Sequence, residues 1–144
     1  MVTWAEFERG DPELAAFGRE RIEGLVCFHA TLRRDGSPRV HPVQPWMAAG
    51  LLTVGFRARS PKVDEVRLDG RYALHSLMDN VEGVGGEFLV SGWMEQIGES
   101  HPAAVRVPYE ATFPLAFYAM SVEEAVGTTY PGDDPVYRRW RARS

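Results

Sequence analysis

Three apolar runs joined by short turns constrain the fold of this chain more than any other feature of its sequence. The runs are LVCFHATL (25–32), RVHPVQPWM (39–47) and LLTVGF (51–56), and the turns between them are RRDGS and AAG. Runs of this kind bounded by such turns predict strands, so the simplest interpretation is a three-stranded antiparallel meander. Because no helix fits between the runs, the β-α-β alternation of a parallel sheet is excluded here.

The remaining segments add helices and strands around this meander. Capping residues predict helices within the first 24 residues and over SPKVDEVRLDG (60–70), and SHPAAVRV (100–107) predicts a helical turn or two. Further strands are predicted over residues 71–78, 87–98 and 136–144, with one or two more over 113–130, and a glycine-rich loop is predicted at 79–86. About six strands with short helices indicate a mainly β fold, a small antiparallel barrel with an N-terminal helical segment, in one domain over residues 1–144.

Two prolines interrupt the second apolar run. Pro42 and Pro45 have no backbone N–H to give to a neighbouring strand. We therefore expect this strand to lie at a sheet edge, to carry a bulge, or to turn its backbone toward something other than a strand, such as a ligand.

Composition and charge exclude several classes of protein. A chain of 144 residues with 44% hydrophobic and 25% charged residues is typical of a globular domain and excludes disorder and a coiled coil. The net charge of −4 argues against a nucleic-acid or anionic-membrane surface. No apolar run reaches the roughly 18 residues that a membrane-spanning helix needs, and the N-terminus lacks a signal-peptide pattern, so a cytoplasmic protein is expected. The lone Cys27 is predicted to be buried and inert.

The distribution of basic residues points to one local site. Of the 16 basic residues only Lys62 is a lysine, and it follows Ser60 and Pro61 at the start of a predicted helix. The first turn of a helix offers unpaired N–H groups and a partial positive charge, which here lie beside a hydroxyl and an ammonium, with Arg57 and Arg59 nearby. This arrangement predicts a phosphate site; the alternative is that Ser60 only caps the helix and the charges are solvated.

Arg39 and His41 form a second group of candidate site residues. Side chains two apart on a strand point the same way, so these two are expected to line one cavity, although a strand histidine is more often an interior side chain. The four histidines have no metal-ligand spacing, and with one cysteine we expect no metal site. The motifs of classical hydrolases and of nucleotide-binding loops are missing too, which disfavours those chemistries.

The order of these segments resembles the pyridoxamine 5′-phosphate oxidase-like family of FMN-binding split barrels, in particular its short actinobacterial-type members. The segments that carry the resemblance are PRVHPV after the DG turn, GLLTVGFRARSPKVDEVRLDGRYALHS and EFLVSGWMEQI, within residues 20–97. The resemblance implies a six-stranded antiparallel split β-barrel. It also implies a homodimer with two flavin sites at the subunit interface.

The resemblance further implies roles for particular residues. The FMN phosphate would be held by Arg39, Ser60 and Lys62. The isoalloxazine ring would contact two strand segments, namely Val40, His41, Pro42 and Val43 on one and Gly55, Phe56 and Arg57 on the other. Residues expected to reach the other subunit's cofactor are Glu87, Trp93 and Trp140. No side chain is expected to act as a nucleophile, because the flavin carries the redox chemistry.

The chain also departs from the oxidase that gives the family its name. Gln44 stands where that enzyme has lysine, Phe56 stands where it has threonine, and VYRRWRARS lacks its C-terminal arginine pattern. Oxidation of pyridoxamine phosphate is therefore not expected, and a pocket rich in aromatic residues favours a flat apolar substrate.

Several functions stay open at this point. The first is an FMN-dependent oxidoreductase acting on a small flat molecule, and a close variant is a reductase that uses the deazaflavin coenzyme F-420. A different class is a non-catalytic flavin- or haem-binding protein, with axial haem ligands drawn from His29, His41 and His75, each of which could instead pack in the barrel wall. The fourth is a split-barrel dimer that has lost its cofactor.

Overall fold

Two short helices begin the chain, and a side chain caps each of them. The computed structural model describes residues 1–143. Helix α1 (Trp4–Gly10) follows Thr3, which forms a capping box with Glu6. Helix α2 (Pro12–Ile22) follows Asp11, whose carboxylate accepts a hydrogen bond from the Leu14 backbone N–H at 3.1 Å. These caps satisfy N–H groups that have no partner within a helix, so the predicted N-terminal helical segment is confirmed.

Nine antiparallel strands and two further helices make up the rest of the described chain. Helix α3 (Pro61–Leu68) joins the fourth and fifth strands, and α4 (Pro102–Val105) lies between the sixth and seventh. In chain order the strands are β1 (Cys27–Leu32), β2 (Pro38–Val43), β3 (Trp46–Ala48), β4 (Leu51–Arg57), β5 (Arg71–Ser76), β6 (Glu87–Ile97), β7 (Leu115–Met120), β8 (Glu124–Thr129) and β9 (Val136–Arg141).

The long strand β6 is where the sheet divides. The hydrogen-bonded order is β2-β1-β5-β6-β7-β4-β3, while β8 pairs with the first half of β6 and with β9. The chain passes from β7 on one half of β6 to β8 on the other through Ser121, whose Oγ accepts a hydrogen bond from the Trp93 backbone N–H at 2.9 Å. A Cβ on Gly92 would lie 2.4 Å from the Ser121 carbonyl oxygen, so glycine is needed at this crossing.

The predicted fold class is confirmed: the chain is mainly β and its strands are antiparallel. It has nine strands in the described residues, where about six were expected. Part of the difference arises because two of the predicted runs each form two strands. The run 39–47 splits into β2 and β3, since Pro45 cannot donate to a ladder and its carbonyl instead accepts a hydrogen bond from Gly24 at 2.8 Å. The run 113–130 splits into β7 and β8 at the crossing.

The position of β2 follows from its prolines. It forms one end of the hydrogen-bonded order, which confirms the expected edge strand. Its side chains alternate, with Arg39, His41 and Val43 partly covered and Val40 and Pro42 exposed.

The barrel interior holds the main core. Alternate residues of β4, together with Leu74, Phe88 and Tyr118, pack there against Trp4 and Phe7 of the first helix. A second, smaller cluster joins α4 to β3, β4 and β7 around Trp46, Ala103, Ala104, Leu51 and Phe117. Cys27 is fully buried in the main core, and burial raises the pKa of its thiol to about 12.

Two searches of the described chain give negative findings. In residues 1–143 no helix combines the length and the apolar character that a membrane span requires. Over the same residues no three histidine, cysteine or acidic side chains come together in a way that could hold a metal ion.

Candidate functional site

An open groove of about 240 Å³ lies where the ends of β2 and β4 meet the start of α3. Six of the predicted cofactor residues line it, namely Pro42, Val43, Gly55, Phe56, Arg57 and Lys62. Its other lining residues are Gln44, Tyr109, Phe113 and Leu115. A larger depression of about 380 Å³, between α2 and the loop 79–86, contains none of the predicted site residues, so the chemistry of the side chains favours the groove.

Lys62 is a cation without an acidic partner at this groove. Its ammonium lies 4.6 Å from the centroid of the Phe56 ring, and in residues 1–143 no carboxylate lies within ion-pair distance of it. Burial lowers the pKa of this lysine, and the nearby Arg39 guanidinium lowers it further. The Ser60 side chain caps the start of the helix, because its Oγ accepts a hydrogen bond from the Lys62 backbone N–H at 3.2 Å.

Arg39 of β2 lies close enough to Lys62 to affect its pKa, and its guanidinium meets Glu65 of α3. Its Nε donates to one carboxylate oxygen of Glu65 at 2.9 Å and its Nη2 donates to the other at 2.8 Å. The Glu65 side chain is 11% exposed and that of Arg39 is 27% exposed. These hydrogen bonds hold the pKa of Glu65 below its usual value and raise that of Arg39.

His41 points into the barrel beside this group and contacts a second histidine. Its Nε2 lies 3.2 Å from Nδ1 of His29, which is fully buried on β1. Burial, followed by the charges of Lys62 and Arg39, lowers the pKa of His41 to about 4, and burial also lowers the pKa of His29. Both rings are therefore neutral at pH 7. The outer nitrogens of the pair, Nε2 of His29 and Nδ1 of His41, have no hydrogen-bond partner in the described chain.

The donor set at this end of the groove fits a phosphate group. An unpaired ammonium, a serine hydroxyl at a helix N-cap and the part of Arg39 that Glu65 leaves free are all donors to an anion. Ser60 and Lys62 lie at the start of an eight-residue helix, where the backbone carries a partial positive charge, and Arg39 approaches from β2. Arg39, Ser60 and Lys62 are the three residues to which the family resemblance assigns this role.

The sequence did not single out two aromatic residues of the groove. Tyr109 and Phe113 belong to the segment between α4 and β7, where no periodicity marks a functional side chain. The guanidinium of Arg57 lies 4.0 Å from the centroid of the Phe113 ring. Tyr109 packs edge-on against Trp46 at 6.1 Å between ring centroids. A Cβ on Gly55 would lie 3.2 Å from the Tyr109 hydroxyl, so glycine leaves room for this tyrosine.

Seven predicted residues do not line the groove of their own chain. Arg39, His41 and Ser60 lie beside it, whereas Val40, Glu87, Trp93 and Trp140 lie elsewhere. Val40 is 64% exposed on the outer face of the sheet. Glu87 accepts a hydrogen bond from the Tyr130 hydroxyl at 2.8 Å, and Trp93 borders a separate depression beside the end of α3. Trp140 turns inward, with its ring 5.0 Å from that of Phe7 between centroids.

The outer face of the sheet is largely apolar. The register places Phe28 of β1 between Pro42 of β2 and His75 of β5, with Ala30 opposite Val40 in the next row. Phe28 is 49% exposed, although it lies at the middle of this face. An apolar surface of this kind is typical of an interaction site.

Comparisons with known proteins support the fold. No family model and no curated protein sequence matches this chain. A pyridoxamine 5′-phosphate oxidase-related, FMN-binding protein from Nostoc punctiforme is 12% identical over 97% of this chain and 98% of its own, with a TM-score of 0.62. A heme binding protein from Mycobacterium smegmatis is 13% identical over 85% of this chain and 55% of its own, with a TM-score of 0.62. A protein described as F420 reductase is 16% identical over 74% of this chain and 94% of its own, with a TM-score of 0.58.

These likenesses concern the fold. The chain has the split-barrel fold that the resemblance predicted, which is also the fold of proteins that bind different cofactors. At identities of 12% to 16% the side chains of the site must carry any functional argument.

Proposed function

We propose that this split barrel binds FMN and is an FMN-dependent oxidoreductase for a small, flat substrate. The observation that carries the proposal is the unpaired, half-buried ammonium of Lys62 beside the Arg39 guanidinium, at the start of a helix and at one end of an aromatic groove. Burying an ammonium next to a second cation is unfavourable. The Glu65 carboxylate offsets part of this cost, but its hydrogen bonds go to Arg39 and not to Lys62, so the ammonium is left for a phosphate to bind.

The phosphate would be held by Arg39, Ser60 and Lys62. Lys62 contributes a point charge, Ser60 a hydroxyl at the helix N-cap, and Arg39 a planar group whose remaining N–H donors suit phosphate oxygens. Each charge-assisted hydrogen bond to phosphate contributes roughly 1.5–3 kcal/mol.

The ring would occupy the groove, along Pro42 and Val43 on one side and Gly55 and Phe56 on the other. When bound, FMN supplies hydride or electron transfer. Arg57, held over Phe113, places a fixed positive charge at the edge of the groove, where it stabilises an anionic group of the ring or the substrate. His41 is less suited to that role, because it is neutral at pH 7 and already contacts His29.

We also propose that the chain forms a homodimer through the outer face of its sheet. Phe28 and Val40 expose apolar area there, and Glu87 lies on β6, which β5 joins to β1 in the same sheet. In the proposed dimer Glu87 and Trp93 are available to the partner's cofactor, while Trp140 fills its own chain's core.

The dimer proposal predicts that Val40→Glu gives a monomer. A buried, unpaired carboxylate at an apolar interface is strongly unfavourable, so sedimentation equilibrium should show half the native mass. Val81→Glu is the matched control, since Val81 is 96% exposed on the loop 79–86 and its replacement should leave the mass unchanged. A wild-type protein that sediments as a monomer contradicts the proposal.

The side chains of the site suit the alternative cofactors to different degrees. The phosphate-binding residues would serve the deazaflavin coenzyme F-420 as well as FMN. Haem is less well supported, because His29 is fully buried and His41 contacts it, which leaves only the partly exposed His75 of the three candidate ligands. A flavin-binding protein without turnover would have the same site as the enzyme, so only kinetic measurements distinguish the two. The cytoplasmic location stays a prediction.

The test of the proposed function is the visible spectrum of the purified protein after addition of excess FMN and removal of what is unbound. We expect about one flavin per chain, reducible by a nicotinamide donor and reoxidised on addition of an acceptor. Arg39→Ala should weaken FMN binding by about tenfold or more, and Arg67→Ala, at an exposed position on α3, should not. A protein that retains no FMN, or binds it equally well without Arg39, overturns the proposal.

A further inference from the structure

The contact between Arg39 and Glu65 uses one edge of the guanidinium and leaves another free. A guanidinium has five N–H donors in a planar fork. Glu65 takes one donor from Nε and one from Nη2, at 2.9 and 2.8 Å. The end-on edge, formed by Nη1 and the second hydrogen of Nη2, makes no hydrogen bond in the described chain. That edge is free to bind two oxygens of one anion.

The helix places Glu65 where it serves the phosphate site. Glu65 lies three residues after Lys62, which puts the two side chains on the same face of α3, about one turn apart. Glu65 is buried, and its carboxylate is held by the two hydrogen bonds from Arg39. A long arginine side chain loses considerable rotamer freedom when it binds a ligand, and a side chain that is already clamped loses less.

On these grounds we propose that Glu65 is a positioning residue for the phosphate site: it clamps Arg39 by its side edge and presents the end-on edge to the phosphate of the cofactor. The proposal rests on the proposed function and deepens it. Glu65 does not touch the phosphate, and its own negative charge repels it. The clamp therefore aids binding only while Arg39 is present.

Glu65 thus has two opposing effects on phosphate binding: it positions Arg39, and its charge repels the phosphate. A purely structural ion pair would not combine these two effects. With Arg39 in place, Glu65→Gln removes the two-point clamp and should weaken FMN binding. In an Arg39→Ala background the carboxylate is left as an unpaired negative charge, with Arg33 and Arg34 also near it, and Glu65→Gln should then strengthen FMN binding. A purely structural ion pair predicts that Glu65→Gln weakens FMN and riboflavin alike while Arg39 is present, and that it causes no further loss of either ligand once Arg39 is replaced.

The experiment measures the dissociation constants of FMN and riboflavin by fluorescence quenching in four proteins: wild type, Glu65→Gln, Arg39→Ala and the double variant. We expect Glu65→Gln to weaken FMN about fivefold while riboflavin changes less than about twofold. In the Arg39→Ala background the same change should strengthen FMN about threefold. Asp64→Asn, at the neighbouring exposed carboxylate on α3, is the matched control and should change neither ligand.

The outcomes separate this proposal from the proposed function. Wild-type protein that binds no FMN, or binds it no better than riboflavin, overturns both. If wild type binds FMN better than riboflavin, but Glu65→Gln binds FMN equally well or more tightly, the proposed function stands and the positioning role is refuted. Arg39→Lys tests the clamp without altering Glu65, and it should lose FMN affinity nearly as Arg39→Ala does, because an ammonium has no second edge. Circular dichroism spectra recorded for each variant report whether it is folded.

Discussion

Replacing Lys62 with methionine should have opposite effects on cofactor binding and on stability. Methionine keeps an unbranched stem that can pack on the Phe56 ring, where the ammonium now lies 4.6 Å from the centroid, and it removes the charge. The charge is needed by a bound phosphate. In the protein without cofactor the same charge is half-buried beside Arg39, as the lowered pKa of Lys62 indicates.

The two magnitudes follow from different features of the site. Loss of one charge-assisted hydrogen bond removes roughly 1.5–3 kcal/mol of binding free energy, which is about a 10- to 150-fold rise in the FMN dissociation constant. The gain in stability is smaller, because solvent screens part of the charge and the cation-π contact with Phe56 is lost. We expect the free energy of unfolding to be unchanged or to rise by up to about 1 kcal/mol.

Two assays on the same preparation test this prediction. FMN titration gives the dissociation constant, and urea unfolding of the protein without cofactor gives the free energy of unfolding. Arg67→Met is the matched control, because its side chain is 68% exposed on the same helix and should affect neither quantity by much. The reasoning is refuted if Lys62→Met leaves FMN binding unchanged, or if it lowers the free energy of unfolding by more than about 1 kcal/mol.

Two further predictions concern the barrel itself. The unfolded chain protonates His41 below about pH 6.5, whereas burial lowers the folded-state pKa to about 4. The free energy of unfolding should therefore fall as pH decreases between these values. Urea unfolding should show a loss from pH 7 to pH 5 that is about 1 kcal/mol smaller in His41→Phe than in wild type. An equal loss in the two proteins contradicts this prediction. Gly18→Ala should lower the free energy of unfolding by about 1–2 kcal/mol, because its Cβ would lie 2.5 Å from the buried Phe88 ring. Gly98→Ala, with no heavy atom within 4 Å of its Cβ, is the control, and equal stability of the two variants would show that the ring moves aside.

Local patterns in the sequence predicted the parts of the site that depend on neighbouring residues. The two-residue spacing of Arg39 and His41 placed both on one face of β2, and the prolines placed that strand at an edge. The Ser-Pro-Lys order gave the start of α3, with the capping geometry that the structure has. In each case the interacting residues are separated by four positions or fewer, so the local sequence is enough to predict the interaction.

The features that the sequence did not predict depend on tertiary contacts. The Arg39 clamp comes from Glu65, 26 positions further along the chain, and nothing in SPKVDEVRLDG distinguishes that carboxylate from a solvated one. The register of β9 turns Trp140 toward Phe7, and a one-residue shift would have turned it outward. Tyr109 reaches the groove because Trp46 supports its ring.

The sheet has three open ends, β2, β3 and β9, and each carries a different barrier to edge-to-edge aggregation. Prolines 38 and 42 deprive β2 of hydrogen-bond donors, β3 is only three residues long, and β9 carries three arginines among its six residues. An incoming strand would meet missing donors, too short a template or like-charged side chains. With its edges protected in this way, the sheet can carry an apolar outer face and still resist growth into fibres.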